Sequence, residues 1–304
     1  MKAPCSCLLA ICIVVFFFGC SHSQPPIPDY PGLALDDIEI LGELPEGVLE
    51  SSGQVEMPYG TLLGHNDSDS GPELFEYSTE GKLIRKIRVL NAKNNDWEDI
   101  AISGDSIYIA DTGNNAGWRR WLTVYVIPIP SAGSSDIDVV ASSIKFKYPG
   151  RGVHIPWTRH NYDCEALIVK GERLWIFSKN HANYRTTVYS LPKYEGKYTA
   201  RKEISINIHG LVTGADTYGD KLVLLGYAKD KSGFDPFICL YENWNTMASG
   251  DDGQRLNIPL RLQTEAISFI GNGDIIFTNE EEDGDQGMIM KVGRELTGNL
   301  MGRD

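Results

Sequence analysis

The sequence predicts an all-β chain built from one repeated unit, and two observations carry that prediction. Short runs of Val, Ile, Leu, Tyr and Phe are bounded by Gly, Asp, Asn and Lys, which is strand and turn chemistry with little helical periodicity. An acidic phrase also recurs where such runs begin: "DWEDIAIS" from Asp96, "DCEALIV" from Asp163 and "QTEAISFI" from Gln263. Acidic residues are poor strand formers. Their return at one place in a repeat of about fifty residues points to a shared task.

The units follow one another along the chain. The first reads "SSGQVEMP", "TLLGHND", "ELFEYS" and "KLIRKIRVL". The second reads "DWEDIAIS", "SIYIAD", "LTVYVIPIP" and "SSIKFKYP", and the third "DCEALIVK", "RLWIFSK", "TTVYSLPK" and "YTARKEISIN". The fourth has "VTGADTYG", "KLVLLGY", "PFICLYE" and "QRLNIPL". The last has "QTEAISFI", "DIIFTNE" and "GMIMKVG" but no fourth strand, and "IEILGEL" (Ile38 to Leu44) is free to supply it. Four strands per unit, repeated and closed by an N-terminal strand, predict a β-propeller of five blades without open sheet edges. A β-sandwich also uses many short strands but would not repeat its acidic phrase. A sixth blade would need strands the sequence does not offer.

Aligning the units places Glu98, Glu165 and Glu265 at one position of the channel-lining strand, with Thr213 and either Ser52 or Gly53 in the other two. Asp96, Asp163 and Gln263 stand two residues earlier, hence on the same strand face. Asp99 is out of phase and is expected to face away. The end of the antiparallel second strand lies at the same mouth and contributes Asn66, Asp67, Asp111, Lys179, Tyr227, Asn279 and Glu280. Three glutamates around one channel must be protonated, solvated, paired with a cationic side chain or bound to a metal. Hard oxygen donors suit Ca²⁺. The expectation is one calcium ion with Glu98, Glu165 and Glu265 as direct ligands and Asp96, Asp163 and Asp111 beside them. The same carboxylates are alternatively acceptors for backbone N–H groups between blades, or acids and bases.

The loops add further candidates. "ADTGNNAGWRRW" brings Asn114 and Asn115, the cations Arg119 and Arg120, and Trp118 and Trp121, which either stack on a sugar or ring or pack between blades. "RHNYDCEA" brings His160, and "FSKNHANYR" brings Lys179 and His181. The ligand-contact set is Asp67, Asn115, Arg119, His160, Lys179, Tyr227 and Glu280. "GHNDSDSG" lacks the closing glutamate of an EF-hand and reads as a polar turn. "NEEEDGDQG" reads as a solvated hairpin tip apart from Glu280. No P-loop, GxSxG or dinucleotide fingerprint is present.

The first residues read as a targeting signal. Lys2 precedes an apolar run, Leu8 to Phe18, interrupted only by Cys12 and too short to span a bilayer. "FFGC" (Phe17 to Cys20) resembles a bacterial lipobox, with Phe17 where leucine is usual. The expected organisation is a signal peptide over 1–19, a lipidated Cys20 with a Pro-rich tether to residue 36, and a single propeller domain over 37–304. That places the protein in the cell envelope, touching the membrane through its lipid anchor alone. With 28 basic and 41 acidic side chains and a net charge of -13, nucleic acid is excluded as a partner. Cys164 and Cys239 sit in apolar runs as small hydrophobes, and the sequence leaves open whether they pair.

Five of these phrases, in order, resemble a family of secreted bacterial β-propeller proteins: "HNDSDSG", "DWEDIA", "DTGNN", "DCEAL" and "TEAI". The resemblance covers Leu41 to Gly293. It implies distant similarity to gluconolactonase-like and phytase-like propellers, many of which bind calcium in the central channel. Lactonase-like metal sites combine Glu, Asn and Asp, whereas this chain repeats a glutamate, so no catalytic residue carries over. The resulting expectation is a calcium-binding module for a glycan, small ligand or protein partner. The alternatives are a calcium-dependent lactonase or phosphoesterase assisted by His160 or Lys179, and an envelope scaffold.

Overall fold

The computed structural model describes residues 27–295 except 69, 153–158, 231–232, 248–252, 272 and 282–285. The expected signal peptide and the lipidation site at Cys20 lie outside the described residues. Among the described residues no helix is long and apolar enough to cross a membrane.

The chain forms five sheets arranged as a five-bladed β-propeller. It opens with β1 (Ile38–Glu43). The first blade holds β2 (Ser51–Glu56), β3 (Leu62–Asn66), β4 (Glu73–Tyr77) and β5 (Leu83–Val89). The second holds β6 (Trp97–Ser103), β7 (Ser106–Asp111) and β8 (Leu122–Pro128), then a short β9 (Ile137–Val139) and the outer β10 (Ser142–Lys147). The third holds β11 (Cys164–Lys170), β12 (Arg173–Ser178) and β13 (Thr186–Pro192), a short β14 (Gly196–Thr199) and the outer β15 (Arg201–Ile206). The fourth holds β16 (Leu211–Tyr218), β17 (Lys221–Asp230), β18 (Gly233–Tyr241) and β19 (Gln254–Asn257). The fifth holds β20 (Thr264–Ile270), β21 (Asp274–Asn279) and β22 (Met288–Val292). Strand β1 pairs antiparallel with β22, from Ile38 opposite Val292 to Glu43 opposite Met288, and closes the ring as expected.

Strand alternation builds the core. Successive side chains point to opposite faces, and each blade has a neighbour on both faces. In β7, Ile107 and Ile109 pack toward the first blade while Tyr108 and Ala110 pack toward the third. Both faces are therefore apolar, and the core is a set of five apolar layers, one between each pair of neighbouring blades. Cys164 and Cys239 are buried thiols in different layers, and no disulfide joins them. Burial pushes the Cys164 thiol up to about 12.

Two short strands depart from the expected four per blade. The β9 strand leaves the second blade and pairs parallel with β5 of the first, Ile137 opposite Ile87. The β14 strand leaves the third and pairs parallel with β10 of the second, Gly196 opposite Ile144. This corrects the reading of "YTARKEISIN" as one strand: Tyr198 and Thr199 belong to the neighbouring blade's sheet, and only Arg201 onward pairs with β13. A parallel bridge from Gly32 to Asn257 repeats the device on the fourth blade. In each case the segment just before a blade's outermost strand covers the outer edge of the blade before it, shielding unpaired backbone groups.

The five inner strands share one irregularity. Each ladder skips a residue: Ser52 in β2, Glu98 in β6, Glu165 in β11, Thr213 in β16 and Glu265 in β20. These are β-bulges, where the extra residue leaves the ladder and re-aims its side chain. They fix Ser52, not Gly53, as the equivalent of the three glutamates.

Just past its bulge, Asp99 faces the neighbouring blade. Its Oδ2 accepts the Leu167 N–H of β11 at 2.7 Å, and its Oδ1 accepts the Ile100 N–H at 2.8 Å. Asp216 does the same between the fourth and fifth blades, accepting from Phe269 N–H at 2.8 Å. Removing the Asp99 carboxylate strands a buried N–H. Asp99→Ala is therefore expected to lower unfolding free energy by about 1–3 kcal/mol, read from the urea midpoint at constant slope. An unchanged midpoint would show that the bridge contributes nothing.

Candidate metal centre at the channel mouth

The bulges send three glutamates toward the axis, and each meets a different environment. Glu98 is 3% exposed. Its Oε2 accepts a long hydrogen bond from Ser52 Oγ, 3.4 Å, and its Oε1 is buried with no hydrogen-bond partner among the described residues. Glu165 pairs through Oε2 with Lys179 Nζ at 2.5 Å, while its Oε1 also lacks a hydrogen-bond partner. Glu265 accepts from Gln263 Nε2 at 3.0 Å, and the same amide donates to Glu280 Oε2 at 2.8 Å.

Among the described residues two groups of three potential ligands result, each with its ligand atoms within 4.8 Å of one another: Asp67, Asp96 and Glu98, and Asp163, Glu165 and His181. Asp96 precedes β6 and Asp67 follows β3, so the first group joins the first two blades. Gly113 makes that approach possible. A Cβ there would lie 2.0 Å from Glu98 Oε1 and 2.3 Å from Asp96 Cγ. The "DTGNN" phrase contains this requirement at its glycine, whereas its residue types alone point to Asp111, Asn114 and Asn115.

The two groups differ in charge balance. In the second, His181 Nε2 lies 3.1 Å from Asp163 Oδ2, and the Asn114 N–H donates to Asp163 Oδ1 at 2.6 Å. Burial pushes Asp163 up, but His181, Lys179 and that N–H outweigh it and hold the carboxyl below its usual range. Burial pushes Lys179 down, and the charges of Glu165 and Glu265 more than reverse this, so the ammonium stays charged. Its Nζ also sits 5.2 Å from the centre of the Tyr227 ring. The first group has no comparable cation. Burial, then the charges of Asp67 and Asp163, push Asp96 up to about 8, with Arg119 opposing. Burial, then Glu165, Asp67 and Asp96, push Glu98 well above its usual range. Burial likewise raises Asp67, which shares a hydrogen bond with Asp96. Farther round the mouth, burial sends Glu265 to about 7 and, with Glu265 beside it, Glu280 to about 8.

Other sequence candidates are placed away from this centre. Asp111 lies outside both groups. Its oxygens accept from Arg119 Nη2 at 2.8 Å, Asn95 Nδ2 at 2.7 Å and the Asp96 N–H at 3.1 Å. Arg119 also donates to the carbonyls of Gly113 and Asp111, so it fastens the 111–119 loop. Asn114 ties that loop to Tyr162 O at 3.0 Å. His160 is buried, with Nε2 3.2 Å from Asn115 O and Nδ1 accepting the Tyr162 N–H at 3.1 Å. Asn66 and Asn279 hold neighbouring backbone through Gly47 O and Met288 N–H. The groups that reach the centre stand one position beyond: Asp67, Lys179 and Glu280.

A cleft of about 490 Å³ opens beside the first group, and Asp96 forms part of its wall together with Ser68, Asn115, Trp118 and Arg119. Asp96 is thus the member of the first group that the cleft reaches.

No family model matches the chain, and no curated protein matches it. Solved structures show the fold alone. The chain is similar to an exo-β-1,3-galactanase from Phanerochaete chrysosporium, crystallised with β-1,3-galactotriose, at 8% identity and a TM-score of 0.50, over 84% of this chain and 63% of that one. It is similar to a glucose dehydrogenase at 11% identity and a TM-score of 0.48, over 84% of this chain and 99% of that one. It is also similar to a putative gluconolactonase at 12% identity and a TM-score of 0.44, over 84% and 91%. These likenesses include gluconolactonase-like and other propellers.

The contrast in charge balance predicts opposite responses to two substitutions. Lys179→Met leaves Glu165 buried without its cation and is expected to cost about 3–5 kcal/mol. Asp96→Asn removes a repelled, desolvated carboxyl and is expected to leave unfolding free energy unchanged or raised at pH 8.5 in EDTA. Urea titrations of both variants check this. Equal losses would show the two groups to be electrostatically alike.

Proposed function

We propose that the protein is a calcium-dependent ligand-binding module of the cell envelope, with the cation held by Asp67, Asp96 and Glu98. One observation carries the reading. Glu98 points a buried, unpartnered carboxylate oxygen into a space that two more carboxylates share. A buried anionic cluster needs protons or a cation. The nearby guanidinium of Arg119 is committed to Asp111. Oxygen-only donors favour calcium over softer metals. The second group has its own lysine and histidine against its two carboxylates.

Of Glu98, Glu165 and Glu265, which the repeat places at equivalent positions, this reading keeps one as a ligand. Glu165 answers to Lys179 and Glu265 to Gln263, and Glu98 remains as the ligand. The open cleft at Asp96 favours a bound ligand over a scaffold role, which would leave no space beside the carboxylates. It equally suits hydrolysis of a neutral ester or lactone, with the cation polarising the carbonyl. A lipid on Cys20 would tether the module through the segment to residue 36. Replacing Cys20 with alanine should then move the protein from the membrane to the soluble fraction.

Calorimetric titration after chelation is expected to show one calcium per chain. Gly113→Ala and Glu98→Gln should each weaken binding at least tenfold, or about 1.4 kcal/mol, with little change in apo stability. Absence of calcium heat and of any calcium-dependent rise in Tm would remove the metal. The sign of the pH effect follows from Asp96, whose folded value of about 8 lies above its ordinary 3.8. Without metal, the stability gained from holding that proton is fully present below about pH 3.8 and is lost as pH rises from there through about 8. Apo Tm should therefore fall between pH 5 and 8.5. Saturating calcium should flatten the fall, with proton release on binding.

A further inference from the structure

The cleft beside Asp96 has a composition that selects its ligand, and this inference rests on the reading of Asp67, Asp96 and Glu98 as a cation site. Most amides in its wall are already used. Asn95 donates to Asp111, and Asn94 to the Asn66 and Asp67 carbonyls. Asn115 and Trp118 are exposed, and their side chains make no hydrogen bond or ring contact among the described residues. Trp118 is 69% exposed, more than any other large hydrophobic side chain described. Trp121, three residues on, is covered by Lys147 at 5.4 Å from its ring and lies outside the cleft wall. One tryptophan of the loop is therefore partnered by the fold, and the other presents a bare aromatic face at the rim of a polar cleft.

Charge decides what fits. Asp67, Asp96 and Glu98 carry one negative charge more than a divalent ion neutralises. Arg119 is matched by Asp111 at 2.8 Å. Among the described residues the cleft therefore has no uncompensated positive charge to hold a phosphate or carboxylate. Its free groups are an amide, the Ser68 hydroxyl, an indole face and carboxylate oxygens. An apolar ligand would leave the amide and hydroxyl unsatisfied, at a cost that polar recognition avoids. A hydroxyl-rich ring with one apolar face satisfies all of them: its C–H face stacks on Trp118, and its hydroxyls meet Asn115, Ser68 and the acidic wall.

We propose that this cleft binds a neutral saccharide, with Trp118 as the stacking platform and Asn115 as the hydroxyl-reading amide. The volume of about 490 Å³ is that of a small-molecule site and accommodates about two sugar rings.

The test uses the full chain, titrated with neutral di- and trisaccharides of galactose, glucose, mannose and xylose, each in calcium and in EDTA. Glucuronic acid and a hexose phosphate serve as anionic controls. Binding of a neutral saccharide is expected, weakened at least tenfold in Trp118→Ala and in Asn115→Ala. Calcium heat should be unchanged in both variants, which separates a lost sugar platform from a lost cation site. Saccharide binding that is equal in calcium and EDTA but still lost in Trp118→Ala supports the cleft and counts against the cation reading alone. No binding by any neutral saccharide, tighter binding of the anionic controls, or binding that survives both substitutions would overturn the proposal.

Discussion

The feature on which the site depends is a β-bulge repeated once in every inner strand. Regular pairing would hold residues 52, 98, 165, 213 and 265 in the ladder, and their side chains would follow the pleat. The extra residue frees one side chain per blade to turn toward the axis. The ring then sets what those five positions face. Where the position is Ser52 or Thr213, the hydroxyl bonds to the backbone of the next inner strand, at Glu98 O and Thr264 O. Where it is glutamate, a carboxylate enters the channel mouth. The same local geometry thus seals the ring at two positions and builds chemistry at three.

Charge compensation divides that chemistry. A desolvated carboxylate is stable only with a proton, a cation or several donors. Lys179 meets only part of this need for Glu165, whose carboxyl burial still holds well above its usual range, and His181 with the Asn114 N–H meets it for Asp163. Gln263 offers only a shared amide to Glu265 and Glu280. Asp67, Asp96 and Glu98 are brought together by Gly113 with no cation paired directly to them, and burial raises their affinity for protons. A site with raised proton affinity and oxygen donors is one where a divalent ion has the most to gain on binding.

Much of this was legible in the residues. The blade strands could be read as apolar runs between turn residues, and the closing role of "IEILGEL" followed from the missing strand. The repeated acidic phrase placed Glu98, Glu165 and Glu265 together correctly. Asp96 precedes its strand and Glu98 lies in a bulge, so their convergence does not come from strand alternation. A bulge is a property of pairing between two strands, and one strand's sequence does not announce it. The cross-blade strands β9 and β14 escaped for a similar reason, since a three- or four-residue strand pairs with a partner far along the chain. Which glutamate receives Lys179 also depended on the third dimension. Glu165 lies in β11 and Lys179 directly follows the adjacent β12, a relation visible only once the register is known. Asp111 and Arg119 looked functional by type, but their mutual pairing turns both inward to the loop.

The most direct measurement is a crystal structure of the calcium-loaded protein with anomalous data. The account predicts a single anomalous peak within 2.3–2.6 Å of carboxylate oxygens from Asp67, Asp96 and Glu98, with an open coordination position facing the cleft at Asp96. A peak seated instead on Asp163 and Glu165 with Lys179 displaced, or a fully occupied protein with no ion at the mouth, would contradict it.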